Sequence, residues 1–306
     1  MVLRTSDGAR DRPPVKPPSC SRGRHMARPI VRALVSVPVA ELRRRPSHAS
    51  ELVTQALLGE PLEIATRTAD RKWFRVKRWD GYRGWTRAWS VTPVSVAASE
   101  QWEAGLRVLV AARSARVMDA PGGLGRVVFE LPLGTRLPEL AHRGTWVRVA
   151  LPDGRAGWVR GSLLAAIPVR PQGQASVLRA AREFTGAPYL WGGVTPWGCD
   201  CSGLVQTIFR RCGIWLPRDA TDQLRTLRPA LLAKQAGSFR PGDLLFFGVD
   251  GRSISHVAIS TGGLKLIHAY GYVREGNLEV GTRAFVPGLD RLFRAAARPL
   301  GRQKKG

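Results

Sequence analysis

With 306 residues the chain is longer than one ordinary domain, and a 44% hydrophobic fraction with ten Trp supplies material for two or three packed cores. The 33 Gly and 22 Pro exclude a bundle of long helices. The net charge of +25 is mostly arginine spread from Arg4 to Lys305, so it fits a general attraction to anionic surfaces, and no zinc-finger, homeodomain or RNA-binding signature supplies a specific nucleic-acid partner.

Residues 1–28 carry Pro13-Pro14 and Pro17-Pro18 but no apolar signal core, and a disordered basic tail is expected, with Met1 or Met26 as the start. The apolar stretch from Ile30 to Ala40 is broken by Arg32 and Pro38 and is too short to span a bilayer. No transmembrane segment is expected, and the expected location is cytoplasmic.

An internal repeat follows. Trp73-Phe74-Arg75-Val76 leads to Asp80-Gly81-Tyr82-Arg83-Gly84-Trp85, and Trp146-Val147-Arg148-Val149 leads to Asp153-Gly154-Arg155-Ala156-Gly157-Trp158, at a constant offset of 73 residues. Each copy reads as a strand, an Asp-Gly turn and a returning strand, preceded by an apolar run closed by Gly59 or Gly134. Each is therefore a small all-β unit, and the simplest role for Trp73, Trp85, Trp146 and Trp158 is to fill two cores. Tyr82 sits in the turn, where a core role is harder, and Arg155 is its counterpart. The stretch from Pro168 to Gly173 reads as a linker.

Beyond the linker, Val177, Ala180, Ala181 and Phe184 recur at helical spacing, predicting a helix over 174–185 that ends near Gly186. A turn-rich loop, Pro188 to Gly193, precedes Gly198-Cys199-Asp200-Cys201-Ser202-Gly203. Leu204, Val205, Ile208, Phe209 and Cys212 then form one helical face, with Asp200 as its N-cap. Cys201 would lie in the first turn, where the helix dipole lowers a thiol pKa and backbone N–H groups can hold an oxyanion. Cys20, Cys199, Cys201 and Cys212 do not make a disulfide framework, and Cys199-x-Cys201 lacks metal-pair spacing. Cys199 reads as loop filling, with a second thiol at the mouth of the site as the alternative, and Cys212 as a core residue; no metal or cofactor is expected.

A nucleophilic Cys needs a base. The segment Phe239 to Phe247 introduces a strand, with Ser255-His256-Val257-Ala258-Ile259 as its antiparallel partner and Lys265-Leu266-Ile267-His268-Ala269 as the next. Alternation lets His256 and His268 face one site, with His268 orienting the imidazole of His256.

Together these segments resemble the ordered motifs of NlpC/P60 cysteine peptidases: Pro188-Tyr189-x-Trp191-Gly192-Gly193, Asp200-Cys201-Ser202-Gly203-Leu204-Val205, Leu216-Pro217-Arg218, Pro241-Gly242-Asp243-Leu244, His256-Val257-Ala258-Ile259 and Ile267-His268-Ala269. The repeat resembles the bacterial SH3-like domain. The resemblance implies an α+β protein: a disordered tail (1–28), two SH3-like barrels (29–100 and 101–168) and a papain-like catalytic domain (169–306). It implies Cys201 as nucleophile, His256 as general base, His268 as orienting residue and Tyr189 beside the nucleophile.

Leu216-Pro217-Arg218-Asp219-Ala220 and the paired barrels resemble the subgroup that cleaves γ-D-glutamyl–diamino acid bonds in peptides with a free N-terminal L-alanine. That likeness implies a substrate-binding set of Tyr189, Trp191, Asp200, Ser202, Asp219, Ser255, Tyr82 and Glu51, with Asp219 and Ser202 on the substrate ammonium. Ala220 departs from the small hydroxyl residue usual there, and a helix cap is the alternative role for Asp219. The partner expected is a peptidoglycan stem peptide or released muropeptide, met by a monomer. The rival readings are a hydrolase of intact wall cross-links, a catalytically silent wall-peptide binder and an arginine-driven nucleic-acid binder.

Overall fold

The computed structural model describes residues 31–123, 125–228, 231, 239–249 and 253–300. The tail expected to be disordered, with Cys20, lies outside the described residues.

The first repeat folds into seven antiparallel strands: β1 (Val31–Val35), β2 (Val39–Arg43), β3 (Leu52–Leu57), β4 (Pro61–Arg67), β5 (Trp73–Lys77), β6 (Arg83–Arg87) and β7 (Val91–Val94). The second gives β8 (Leu106–Val110), β9 (Ser114–Met118), β10 (Val127–Pro132), β11 (Arg136–Arg143), β12 (Trp146–Ala150), β13 (Ala156–Arg160) and β14 (Leu164–Ala166). Their spatial orders are β3-β2-β6-β5-β4-β1-β7 and β10-β9-β13-β12-β11-β8-β14, the same topology twice. The Asp-Gly turns close equivalent hairpins: Arg78 N–H donates to Tyr82 O at 2.9 Å in one, and Leu151 N–H to Arg155 O at 2.9 Å in the other.

The tryptophans correct the expectation from the repeat. Trp73 is buried, but Trp85, Trp146 and Trp158 keep part of their surface in solvent. The interiors are filled by smaller aliphatic side chains, such as Ala40, Leu42 and Val76 in the first copy and Val117, Val149 and Val159 in the second. The space inside a barrel this small takes branched residues on alternate positions, and arginines cover indole faces outside: Arg87 lies 5.1 Å over Trp73 and Arg160 4.9 Å over Trp146.

Helix α1 (Val96–Gly105) straddles the boundary expected at residues 100/101. Ser95 caps it by accepting the Ala98 N–H at 3.1 Å, and Trp102 donates its indole N–H to Gly59 O at 2.8 Å, tying the connector to the first barrel.

The C-terminal unit begins with α2 (Gln174–Arg182), shorter than the sequence pattern suggested. A two-stranded ribbon, β15 (Val194–Thr195) and β16 (Gly198–Cys199), leads into α3 (Cys201–Arg211), and α4 (Ala220–Thr226) follows. The strands β17 (Leu244–Phe247), β18 (His256–Gly262), β19 (Lys265–Tyr270), β20 (Tyr272–Asn277) and β21 (Phe293–Ala297) form an antiparallel sheet in the order β20-β19-β18-β17-β21; the short α5 (Leu289–Leu292) precedes the last. Leu204, Val205, Ile208 and Phe209 of α3 pack with Val257, Ile259 and Ile267 of the sheet and with Phe184 beyond α2, all fully or almost fully buried. At ~1.5–3 kcal/mol per buried large apolar side chain, this cluster is what holds α3 against the sheet. Among the described residues no helix is long and apolar enough to cross a membrane.

Candidate active site

Asp200 fixes the start of α3. Its Oδ1 accepts the Gly203 N–H at 2.7 Å, as an N-cap does, and its Oδ2 accepts the Gly192 N–H at 2.8 Å. The Arg218 guanidinium donates to both oxygens, at 3.0 and 2.5 Å, and to Ser202 Oγ at 2.8 Å. Arg218 and Asp200 are both buried, so removing either partner would strand an uncompensated charge at a cost of ~3–5 kcal/mol. The substrate contact expected of Asp200 gives way to this framework role, because both its oxygens are already committed. Gly203 is required by contact: a Cβ there would meet Gly193 O at 2.1 Å.

Cys201 is thereby held at the first residue of α3, against the first residues of β18. Burial pushes its thiol up to about 11, and the Asp200 carboxylate adds to the rise; the backbone N–H groups of Val257 and Ser202 and the Arg218 charge oppose it. The lowered pKa expected from the helix terminus is therefore not reached, since desolvation outweighs the dipole. Cys199, also buried, is pushed further up by burial and by Asp200.

His256 opens β18 opposite Phe247, and its Nε2 lies 2.9 Å from Nδ1 of His268 on β19. His268 is fully buried. Burial drives His256 down to about 4 and His268 to about 3, the latter helped by His256 and Arg274. Both rings are therefore neutral at pH 7; in the tautomer where His256 Nε2–H donates to His268, His256 Nδ1 is the ring nitrogen free to accept a proton. Tyr189 bridges Cys199 on one side and donates its backbone N–H to Gly271 O at 2.8 Å on the other; burial, then Cys201, pushes its phenol up to about 12.

The nucleophile opens onto a cavity of about 380 Å³, walled on one side by the first barrel. Glu51 accepts the Trp191 indole N–H at 2.9 Å and the Arg44 Nε–H at 2.5 Å. Tyr82 reaches from its hairpin turn and donates to Asp219 Oδ1 at 3.4 Å; burial, then Asp219, pushes its phenol up to about 12. Asp219 occupies the N-cap position of α4, yet its carboxylate makes no capping bond. Burial raises its pKa against the pull of Arg218. Ser202 and Ser255 also line the cavity. The expected residues Cys201, Tyr189, Trp191, Asp200, Ser202, Asp219, Ser255, Tyr82 and Glu51 thus share one cavity, and His256 and His268 stand together in the adjoining sheet.

Several groups that build this wall carried no signal of their own. Thr54 Oγ accepts from Arg218 at 3.0 Å and Arg78 at 3.2 Å, Gln55 Oε1 accepts the Val194 N–H at 3.0 Å, and Gln206 donates to Asp80 at 2.9 Å. Buried Glu60 takes Arg78 at 2.7 Å and Arg210 of α3 at 2.8 Å. A Cβ on Gly192 would meet Leu52 O at 2.4 Å, so barrel backbone lies directly on the loop before the nucleophile. Polar residues on barrel strands give no sign in a sequence that their partners lie in another unit.

Comparison with known proteins agrees with this geometry. Residues 186–282 match the NlpC/P60 family, and residues 42–88 match the bacterial dipeptidyl-peptidase Sh3 domain. The chain is 31% identical over 237 residues to the gamma-D-glutamyl-L-lysine dipeptidyl-peptidase of Bacillus cereus (strain ATCC 10987 / NRS 248), covering 73% of this chain and 68% of that protein. It is 37% identical over 149 residues to the gamma-D-glutamyl-L-lysine dipeptidyl-peptidase of Bacillus subtilis (strain 168), covering 47% of this chain and 48% of that one, about half its length. The fold is shared with a solved NlpC/P60 family protein from Bacillus cereus ATCC 10987, at a TM-score of 0.77 and 24% identity over 88% of this chain and 99% of the other.

Proposed function

The chain belongs to the NlpC/P60 family, and from that membership and the site's chemistry we propose that it is a cysteine endopeptidase that hydrolyses the γ-D-glutamyl–diamino acid amide of peptidoglycan-derived peptides with a free N-terminal L-alanine. The observation that carries this reading is the cavity in which Cys201 shares one space with the Asp219 carboxylate and with Glu51 and Tyr82 from the first barrel. A short peptide whose amine must meet a carboxylate suits such a space, and an ammonium desolvated there needs a charged acceptor.

In this reading Sγ of Cys201 attacks the γ-carbonyl carbon as its proton passes to His256 Nδ1. The neutral resting pair makes this a general-base step rather than attack by a preformed thiolate. Backbone N–H groups at the start of α3 hold the oxyanion. His256 then protonates the departing amine, and water releases the thioester. His268 keeps the imidazole turned toward the thiol, and Ser202 and Asp219 receive the substrate ammonium. The proposal further has the enzyme act in the cytoplasm on already released peptides, as a monomer.

The test uses the purified chain and Cys201→Ala with L-Ala-γ-D-Glu-diaminopimelate and its N-acetylated form, followed by mass spectrometry. Cleavage of the free-amine peptide alone, abolished in the variant, is the expected result. Equal cleavage of both peptides removes the amine requirement; cleavage of neither removes the proposed substrate.

A further inference from the structure

A second cavity, of about 420 Å³, lies where all three units meet and shares no lining residue with the cavity at Cys201. Lys77, Arg78 and Trp79 come from the first barrel, Arg136 from the second, and Arg210 and Trp215 from the C-terminal unit. Two indoles form its frame: Trp79 and Trp215 meet edge to face at 4.7 Å. Arg210 lies 4.6 Å over Trp79 and 5.4 Å over Trp215, and Arg136 lies 4.8 Å over Trp215.

The charges around this space do not balance. Glu60 is bound by Arg78 and Arg210 together, and Glu63 by Arg32 at 3.4 Å and Lys77 at 3.2 Å. Glu103, the remaining acidic residue of the lining, accepts from Ser99 at 3.4 Å. Arg136 has no carboxylate within ion-pair distance among the described residues; its one hydrogen bond there is to Arg210 O at 2.9 Å, the end of α3. Burial, then the neighbouring Arg210 charge, pulls its pKa down to about 10. Trp79 Nε1 and Arg210 Nε are buried donors with no partner among the described residues. With Arg32, Lys77, Arg78, Arg136 and Arg210 lining the space against Glu63 and Glu103, the surplus of cations asks for a ligand that accepts hydrogen bonds and carries negative charge.

We propose that this three-way junction binds a small multivalent oxyanion, a phosphate or a polycarboxylate, with Arg136 and Arg210 as its principal charge partners and Trp215 as the platform that holds both. The site is independent of the peptide-hydrolase reading. Since its walls come from three units, an anion there ties the second barrel to the end of the helix that begins at Cys201.

The experiment is isothermal titration calorimetry of the full chain with inorganic phosphate and, separately, citrate, each against sodium chloride at matched ionic strength. Saturable binding is expected for at least one, and which of the two binds identifies the ligand as phosphate-like or polycarboxylate. Arg136→Met should weaken it about tenfold or more, a loss of ~1.4 kcal/mol. Arg148→Met, on the same barrel, and Arg44→Met, at the Cys201 cavity, should leave it unchanged. Trp215→Leu keeps every charge but removes the platform, and stands in for Arg136→Met if that variant fails to melt like the parent. No saturable heat with either anion, undiminished binding in the junction variants, or an equal loss in Arg148→Met or Arg44→Met overturns the proposal.

Discussion

Two carboxylates face the proposed amine pocket, and their surroundings predict unequal roles. Glu51 is already paired with Arg44, whose side chain is 64% exposed, so in Glu51→Gln that arginine can swing into water and the field at the amine changes little. Among the described residues the Asp219 carboxylate has only the Tyr82 hydroxyl as a hydrogen-bond partner, while the adjacent Arg218 is committed to Asp200, Ser202 and Thr54. A hydrogen bond to a charged group contributes ~1.5–3 kcal/mol. Asp219 is exposed, so the lower part of that range applies, and Asp219→Asn should lower kcat/KM for the free-amine peptide roughly 10- to 30-fold. Glu51→Gln should lower it less than about fivefold. The assay is steady-state hydrolysis of the free-amine and N-acetylated peptides by wild type and both variants. The reasoning is refuted if Asp219→Asn keeps the wild-type preference for the free amine, or if Glu51→Gln abolishes it.

The acid limb of kcat should lie near pH 4 rather than near the unperturbed ~6.5, because His256 must be unprotonated to act and burial lowers it to about 4: activity is full above that limb and lost as pH falls through it. Stability moves over a related window. His256 and His268 bind protons near 6.5 when unfolded but only at about 4 and 3 when folded, so the melting temperature should decline as pH falls from ~6.5 toward those values, and less steeply in His268→Gln. His268→Ala should reduce kcat by about 100-fold with little change in KM, the size of a misplaced catalytic group, and His268→Asn should restore part of it. Gly203→Ala should lower the melting temperature and block activity together, since relieving the clash with Gly193 O costs ~1–3 kcal/mol or more of overpacking and moves the start of α3.

The hairpins were legible because two copies of one pattern state the same topology twice, and the start of α3 because Asp200 caps it within three residues. The pairing of His256 with His268 could be read from strand alternation. Helix α1 could not: Val96-Ala97-Ala98-Ser99-Glu100 offers no apolar stripe, and the indole of Trp102 that hydrogen-bonds it to the first barrel finds its partner at Gly59, far away in the chain. The raised thiol pKa escapes the sequence for a related reason, since the dipole of α3 is visible there whereas the sheet that desolvates Cys201 is assembled from residues more than forty positions later. The buried Arg218–Asp200 pair and the Glu60 bridge join residues far apart along the chain, and no local pattern announces them.

The close approach of Leu52 to Gly192 makes the first barrel one wall of the cavity. On the proposed chemistry, a substrate then threads in through whatever side the barrel leaves open, and its amino-terminal fragment stays against the wall while bound to Cys201. The carboxy-terminal fragment departs first and the dipeptide last, so the wall acts as a ruler: it sets how many residues lie between the chain end and the cut, and it makes the dipeptide the natural product inhibitor.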